Sequence, residues 1–325
     1  MNPKKVVEVE HLAYFISQLA RREEVGLIAD LGAGQGYLSR TLVYQYDHPV
    51  LAIDSNQIQT CGAERQLQRT EKFVNKTKKP LSASGDQISP GDAPTNSPAP
   101  QPWLVCGLHA CGNLSNVMLK WFVKSTAKCV VNVGCCYNMM GLTEGTISYC
   151  PFFPISQELT HKGATLSVNA LKLACQAPTR WADQTTTAIG NFERHYFRAL
   201  LHYAMVDRGL VQPNDPFPVV GRLSKTAFAN FSTYAQRALP HHGPAQLSNS
   251  PLKVGDLAYY DTKLRPQAAR MAIVWTLKAL LSPCIESLII LDRCLYLVEQ
   301  GCQVDLVPLV DPNVSPRNIV IMATK

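Results

Sequence analysis

The feature that most constrains the fold is a glycine-rich turn directly after a short apolar run. Residues 26–31 (GLIADL) are followed by Gly32, Gly34 and Gly36, and a helix is predicted to begin at Tyr37. Short apolar runs stopped by glycines indicate buried strands. Glycine after a strand allows positive φ and lets the backbone approach a ligand closely. The turn therefore predicts an α/β sheet with a ligand at the end of its first strand.

Apolar runs alternate with helical stretches through the first half of the chain. Helices are predicted over 6–22, 37–46 and 57–76, and further strands over 49–55, 103–109 and 129–136. This alternation is typical of a parallel sheet covered by helices on both faces. The segment from 78 to 102 holds six prolines with Ser, Gly and Asp, and it is predicted to be a disordered loop.

Two further strand-like runs lie at the other end of the chain, over 303–310 and 318–324, with a proline-containing turn between them. Two strands alone make a marginal sheet, so we expect this hairpin to join the first sheet. A parallel sheet that ends in a helix and a hairpin is the Rossmann-like architecture of class I methyltransferases. We therefore predict an α/β domain formed by residues 1–144 and 266–325, interrupted by a mostly helical insertion over 145–265.

The glycine turn and a second acid together indicate the ligand. Asp54 ends the second predicted strand about 20 residues after the turn, where an acid can bind ribose hydroxyls. The G-x-G-x-G spacing is tighter than the dinucleotide fingerprint, and with Asp30 before it favours S-adenosylmethionine. The alternative is an ordinary strand-to-helix turn with Asp30 as a cap. The predicted cofactor-binding residues are Asp30, Gly32, Ala33, Gly34, Gly36, Tyr37, Asp54, Ser55, Leu108 and His109.

Unusual side chains follow the third and fourth predicted strands, in 107-GLHACGNLS-115 and 134-GCCYNMM-140. They allow three interpretations: His109 as a general base, a zinc site of His and Cys, or a pocket lined by small polarisable groups. We predict no metal, because the spacing is not C-x-x-C. The motif that many amine methyltransferases carry at this position is absent. The predicted catalytic residues are His109, Cys135, Cys136 and Tyr137.

Seven segments in the same order carry a family resemblance. They are 3–9, 30–39, 107–115, 133–137, 169–176, 283–296 and 315–318. Together they resemble the methyltransferase-like protein 25 family, of the ribosomal RNA adenine dimethylase domain-containing type, and more weakly a tRNA 2′-O-methyltransferase family. The resemblance implies an S-adenosylmethionine-dependent methyltransferase. It assigns the cofactor loop to Asp30 and the glycines, the ribose acid to Asp54, and a strand-end motif to His109 and Cys111.

The chain departs from the family pattern at several positions. Relatives often carry a lysine at Gln35, a histidine at Val7 and an acid at Asn113, and they usually show another strand before residue 103. These departures favour, as one alternative, a cofactor-binding pseudoenzyme that serves as a binding module. The chain begins at the family's first shared motif, so we expect a short isoform, a fragment or a divergent copy.

A basic stripe suggests the methyl acceptor. Arg65, Arg69, Lys72 and Lys76 would share one face of the helix over 57–76, and the chain has a net charge of +7. Such a stripe can bind phosphates, so we predict RNA as the substrate and partner. The alternatives are a solvated helix face and, for the substrate, a protein. The sequence does not predict an oligomeric state.

The chain is predicted to be intracellular, in the cytoplasm or the nucleus. It holds eleven cysteines, many in apolar runs, and its first residues lack the apolar core of a signal peptide. The apolar segment 271–298 carries four charged residues and Pro283. We therefore predict two helices with a break at Pro283 rather than a membrane span.

Overall fold

The structure of the protein is a computed structural model that describes residues 1–77, 101–140, 150–178, 181, 185–213, 223–239 and 254–325. The chain divides into two compact units. The first comprises Met1–Gln176 and Ser282–Lys325, and the second comprises Ala177–Leu281. The predicted disordered loop over 78–102 lies mostly outside the described residues.

The first unit alternates strands and helices along the chain. Its strands are β1 (Leu27–Leu31), β2 (Val50–Ile53), β3 (Trp103–Ala110), β4 (Cys129–Gly134), β5 (Gln303–Pro308) and β6 (Ile319–Thr324). Its helices are α1 (Pro3–Arg22), α2 (Tyr37–Tyr46), α3 (Gln57–Thr77), α4 (Leu114–Lys124), α5 (Gln157–His161), α6 (Val168–Ala174) and α11 (Ser282–Glu299), numbered to leave α7–α10 for the second unit. A short 3-10 helix covers Tyr137–Met139.

The strands form one six-stranded sheet in the order β2-β1-β3-β4-β6-β5. The first four are parallel, while β6 pairs antiparallel with both β4 and β5. This confirms the predicted class I methyltransferase fold with a C-terminal hairpin. After β2 the chain crosses β1 to form β3, so the strand order reverses between β1 and β3. Ligands of open α/β sheets bind at such a reversal, beyond the carboxyl ends of the strands.

Helices cover both faces of the sheet, and alternation along β3 shows how. Leu104 and Cys106 face a core that includes Leu12 of α1 and Leu42 of α2. Val105 faces the opposite core, which includes Phe122 of α4. A strand that is buried on both faces has a continuous run of apolar residues, and this run allowed β3 to be predicted from the sequence. This packing fixes the ends of β1, β3 and β4 against one another.

The edge of the sheet formed by β2 is more exposed to solvent than the central strands β3 and β4. Leu51 and Ile53 are 52% and 41% exposed, and β2 ends the order of the described strands. Relatives were expected to carry another strand here. The chain between residues 78 and 100 lies outside the described residues.

The boundary of the insertion differs from the predicted 145–265. Cys150, Phe153, Leu166 and Leu171 pack with Ile289 of α11 in one core, so this stretch belongs to the sheet unit. The second unit instead runs to Leu281. The sequence pattern did not reveal either boundary, because residues 150–176 and the second unit both contain helices.

The secondary structure of the described residues of the second unit is helical. It contains α7 (Thr185–Asp207), α8 (Phe231–Ala238), α9 (Val254–Leu264) and α10 (Ala268–Leu280). Phe197, Leu201, Tyr234 and Tyr260 form the centre of its core. Trp181 stacks on Trp275 at 4.6 Å between ring centroids. Many aromatic residues of this unit therefore pack in its own interior.

Within the described residues, one helical run is long and apolar enough to cross a membrane by length and composition. It covers Asp256–Glu299, with a mean hydropathy of 1.6 over 18 residues. The run is broken as predicted, since α10 ends at Leu280 and Pro283 lies in the first turn of α11. Core helices of globular proteins pass the same test, and Ile290 and Leu297 of α11 are buried against the sheet.

Candidate cofactor and catalytic site

The turn after β1 is closed by hydrogen bonds to the end of β2. Gly32 and Ala33 donate their backbone N–H groups to the Ile53 carbonyl, at 2.8 and 3.1 Å. Gly34 donates its N–H to Oδ2 of Asp54 at 2.8 Å. The structure therefore brings the predicted glycine turn and the predicted ribose acid into direct contact.

All three glycines of the turn have left-handed backbone conformations, with φ of 73°, 57° and 69° for Gly32, Gly34 and Gly36. The space above Gly34 is open, because a Cβ there would have only the Gly32 carbonyl oxygen within 4.0 Å. A Cβ on Gly32 would instead meet Leu114 of α4 at 2.8 Å. The turn thus combines tight packing toward α4 with open space beside Asp54.

Asp30 lies beneath the turn, not in it. It is 1% exposed, and its carboxylate accepts a hydrogen bond from the Ser39 hydroxyl at 2.6 Å. Burial raises the pKa of Asp30 to about 6 despite that bond. This geometry supports a role in anchoring the turn to α2. Contact between Asp30 and a cofactor stays a prediction.

His109 occupies a distorted end of β3. The register of β3 against β4 shifts between Leu108 and Ala110, and His109 has a φ of 63°. Left-handed conformations cost about 1–2 kcal/mol in residues other than glycine. Such strain persists where the surroundings hold it, and it clusters at functional sites. The distortion therefore interrupts the regular strand geometry at His109.

Two elements far apart in the sequence hold a carboxylate against that imidazole. His109 Nε2 lies 3.2 Å from Oε2 of Glu8 in α1, and Glu8 is 2% exposed. The hydroxyl of Ser315, after β5, donates to Oε1 of Glu8 at 2.6 Å. Lys4 lies 3.4 Å from the same oxygen. Glu8 is thus a site residue that sequence reasoning missed.

The environment of Glu8 favours its charged form. Burial alone would raise the pKa of Glu8, but the hydrogen bonds from His109 and Ser315 and the charges of His109 and Lys4 outweigh it. The pKa of Glu8 falls to about 2. A permanently charged carboxylate can orient a histidine and stabilise its protonated form.

Three cysteines meet beside His109. The N–H of Gly112, in the loop after β3, donates to the Cys136 carbonyl at 3.2 Å and joins the ends of β3 and β4. The sulfur of Cys111 consequently lies 3.1 Å from that of Cys135 and 3.6 Å from that of Cys136, and the last two are 3.5 Å apart. The predicted strand-end residues are therefore brought together.

The short distances between the thiols shift the pKa values of Cys111 and Cys135 in opposite directions. Hydrogen bonding from Cys135 lowers the pKa of Cys111 to about 6, although burial opposes the change. The same bond, with burial, raises the pKa of Cys135 far above its usual range. The cluster therefore favours one thiolate, on Cys111, that a neighbouring thiol stabilises.

Tyr137 lies buried in the core of the first unit, and its predicted catalytic role stays a prediction. It is 2% exposed, and its hydroxyl donates to Oε1 of Glu286 at 3.0 Å. Burial, with the Glu286 charge, raises the pKa of Tyr137 well above its usual range. Glu286 in turn forms an ion pair with Arg317. The sequence of 134–140 gave no sign that this ring points into the core.

Arg293 of α11 lies buried under the same region. It is 1% exposed, its Nε donates to Asn116 at 3.0 Å, and its Nη1 has no hydrogen-bond partner in the described parts of the chain. Burial lowers the pKa of Arg293. A Cβ on Gly134, the residue before Cys135, would lie 2.4 Å from that Nη1. The guanidinium thus occupies space that only glycine leaves free.

We expect Gly134→Ala to lower the free energy of unfolding by about 1–3 kcal/mol, because overpacking forces a buried group to move. Thermal unfolding of the purified variant measures the effect. Gly190→Ala is the control, since a Cβ there meets nothing and alanine favours the α7 helix. Equal stability of Gly134→Ala and wild type would show that Arg293 has room to move.

The remaining predicted residues surround this site. Tyr37 begins α2, with Arg40 5.0 Å above its ring, Ser55 is exposed after β2, and Leu108 is buried at the end of β3. The backbone of α3 confirms the helix that was to carry the basic stripe, and Arg65 is exposed. The side chains of Arg69, Lys72 and Lys76 lie outside the described residues.

Comparison with known proteins adds an independent finding. Residues 4–142 match the model of a family described as a methyltransferase domain. Probable methyltransferase-like protein 25 of Homo sapiens is 32% identical over 231 residues, which is 68% of this chain and 37% of that protein. The protein of the same name from Mus musculus is 30% identical over 234 residues, with the same shares.

The matched family region contains the turn after β1, Asp54, His109 and all three clustered cysteines. The chain spans 37% of the length of these two curated relatives. No solved structure gives a significant match to the chain.

Proposed function

Because this chain carries a methyltransferase domain and is homologous to probable methyltransferase-like protein 25, we propose that it transfers a methyl group from S-adenosylmethionine, with RNA as the acceptor. One observation carries the cofactor proposal. Asp54 contacts the glycine turn at the point where the strand order of the sheet reverses.

The residues at this point fit the cofactor. Each oxygen of Asp54 accepts one backbone N–H, from Gly34 at 2.8 Å and from Asn56 at 2.7 Å. A carboxylate has about four acceptor positions, so two remain for the ribose hydroxyls. The open space above Gly34 would leave room for the body of the ligand. When bound, S-adenosylmethionine supplies an electrophilic methyl group on a positive sulfur.

His109 is the proposed base for a hydroxyl acceptor. With Nε2–H donated to Glu8 at 3.2 Å, Nδ1 is the nitrogen that can take a proton. The charged Glu8 would stabilise the imidazolium that forms. The Ser315 hydroxyl holds the second oxygen of Glu8, which keeps the carboxylate in place. His109 and Glu8 would thus move and hold the acceptor proton, while the fold positions the reacting groups.

RNA is proposed because α3 starts next to the cofactor turn. Gln35 of the turn accepts a hydrogen bond from Gln66 of α3 at 3.2 Å, and Arg65 is its exposed neighbour. A basic helix beside the methyl donor would bind the phosphates of an acceptor strand.

For RNA binding, we expect Arg65→Gln to reduce the slope of log affinity against log salt by about 0.7–0.9, the contribution of one phosphate contact. Fluorescence anisotropy with a labelled single-stranded RNA measures the slope. Lys120→Gln is the matched control, because Lys120 is exposed on α4 rather than α3. Equal slopes for all three proteins would remove α3 from the proposed interface.

The proposed activity is tested with tritiated S-adenosylmethionine. The protein is incubated with total RNA or with RNase-treated cell extract, and label is counted in each fraction. Label in RNA that disappears in His109→Ala is the expected result. Label found only in protein would show that the methyl acceptor is a protein and not RNA. Calorimetric binding of the cofactor without label in either fraction would favour the pseudoenzyme, and absence of binding would overturn the proposal.

A further inference from the structure

The thiols of Cys111, Cys135 and Cys136 form a group whose geometry the proposed methyl transfer does not require. Their sulfur atoms are mutually separated by 3.1–3.6 Å. Among the residues that the structure describes, they are the one set of three or more Cys, His, Asp or Glu side chains close enough to share a metal ion. Each thiol has one proton and can donate only one hydrogen bond, and these bonds are all that would hold the three sulfur atoms so close together.

From this geometry, we propose that Cys111, Cys135 and Cys136 bind one zinc ion. Tetrahedral zinc with Zn–S bonds of about 2.3 Å spaces its sulfur ligands by about 3.8 Å. The observed separations therefore need to open only slightly to admit the ion. In an iron–sulfur cluster no single iron atom takes three protein cysteines, so three sulfurs this close to one another fit such a cluster less well.

The backbone presents these ligands without requiring a local sequence motif. Cys111 follows β3, whereas Cys135 and Cys136 follow β4, the neighbouring parallel strand. The hydrogen bond from Gly112 N–H to the Cys136 carbonyl ties the two loops together. Gly112 has a φ of 56°, and a Cβ there would meet Met139 at 2.9 Å. The spacing argument that predicted no metal applies to ligands within one local motif, whereas these three cysteines come from two strands.

The surrounding charge supports the assignment independently. Zinc with three thiolates carries one negative charge, and a buried negative group needs a positive partner. Arg293 is 1% exposed, has no ion pair in the part of the chain that the structure describes, and leaves Nη1 without a hydrogen bond. That Nη1 lies against Gly134, next to Cys135. A zinc–thiolate group would give this guanidinium the anion that it lacks.

The site would have three protein ligands and one further position. Cys111 and Cys136 are partly exposed while Cys135 is 7% exposed, so the cluster is reached from the side of the strand ends. Zinc sites of this kind keep a coordination position for water or another ligand. The proposal goes beyond methyl transfer. It can be tested independently of that activity, because the metal content of the protein is measured without any methyl acceptor.

Elemental analysis of protein purified without a metal-affinity tag and without chelator tests the proposal. We expect about one zinc per chain, and a loss of more than about 100-fold in zinc affinity in Cys111→Ser and in Cys136→Ser. Cys302→Ser is the matched control, because Cys302 is buried outside the cluster. The control is expected to retain wild-type zinc content.

Cobalt substitution of the wild-type protein provides a readout that does not depend on the folding of variants. Tetrahedral cobalt with three thiolates gives strong sulfur-to-metal absorption in the near ultraviolet and visible d–d bands. Appearance of those bands, and their displacement by one equivalent of zinc, supports the site. Absence of both zinc and the cobalt bands, copper or iron in place of zinc, or equal zinc content in wild type and ligand variants of native fold would overturn it.

Discussion

Replacing Asp54 by alanine is expected to weaken S-adenosylmethionine binding about 100-fold, equivalent to about 2.7 kcal/mol. The proposed ligand pose gives Asp54 two hydrogen bonds from ribose hydroxyls, and bonds to a charged partner contribute about 1.5–3 kcal/mol each. The same carboxylate holds Gly34 and Asn56, so its loss would also loosen the turn. Isothermal titration calorimetry measures the change.

A comparison of two ligands separates the loss of the ribose contact from the effect of a loosened turn on binding affinity. 5′-Methylthioadenosine and its 2′,3′-dideoxy form differ only in the two hydroxyls. Wild type should lose affinity for the dideoxy form, whereas Asp54→Ala should bind both forms alike. Asp305→Ala, on the exposed face of β5, is the control and should behave as wild type. If Asp54→Ala still distinguishes the two ligands, the ribose assignment is wrong while the fold assignment stands.

Glu8→Gln is expected to lower the free energy of unfolding by about 2–3 kcal/mol at pH 7, because His109 and Lys4 lose a buried anionic partner. The pKa of Glu8 is about 2 in the folded protein against 4.5 for an ordinary glutamate. A carboxyl group with a depressed pKa stabilises the folded state above its unfolded pKa. That stabilisation is lost as the pH falls from about 4.5 toward 2.

Denaturant unfolding at several pH values tests this prediction as a difference between proteins. The stability gap between wild type and Glu8→Gln should close on acidification, while Glu10→Gln, an exposed neighbour on α1, should match wild type throughout. Asp30 contributes in the opposite sense, because its raised pKa reduces stability as the pH rises through about 4 to 6. Subtracting the curves removes that contribution. A gap that stays constant with pH would mean that folding does not lower the pKa of Glu8.

Much of the sheet unit follows from local sequence pattern. The predicted helix over Tyr37–Tyr46 has the observed bounds, and each of the six predicted strands is present within about two residues at its ends. For β1, β3 and β4, short apolar runs bounded by glycine, proline or acid identify the strands because these strands are buried, whereas β2 and β5 are largely exposed. The insertion boundary could not be read this way. Residues 150–176 carry helices like those of the second unit, and only packing against α11 assigns them to the first.

The cofactor side of the site was more predictable than the catalytic side. The glycine turn and Asp54 are close in sequence and have a recognised spacing, so the sequence assigned both to one cofactor site. Glu8 and Ser315 lie far from His109 in sequence, and no local pattern joins them. One signal was available for Glu8: it lies on the apolar face of α1, four residues before Leu12 and eight before Ile16. A carboxylate on a buried helix face requires a partner.

The position of β6 has a consequence for how the chain folds during synthesis. β6 (Ile319–Thr324) follows the other described strands in the sequence but lies between β4 and β5, and the Lys325 ammonium group donates hydrogen bonds to the Phe122 and Ser125 carbonyls at the end of α4. The sheet therefore stays incomplete until β6 has left the ribosome. The second unit, Ala177–Leu281, whose described elements are helical, leaves the ribosome earlier, and local contacts form fastest. We expect ribosome-bound nascent chains to acquire protease resistance there first, with the sheet unit following only after β6 has left the ribosome.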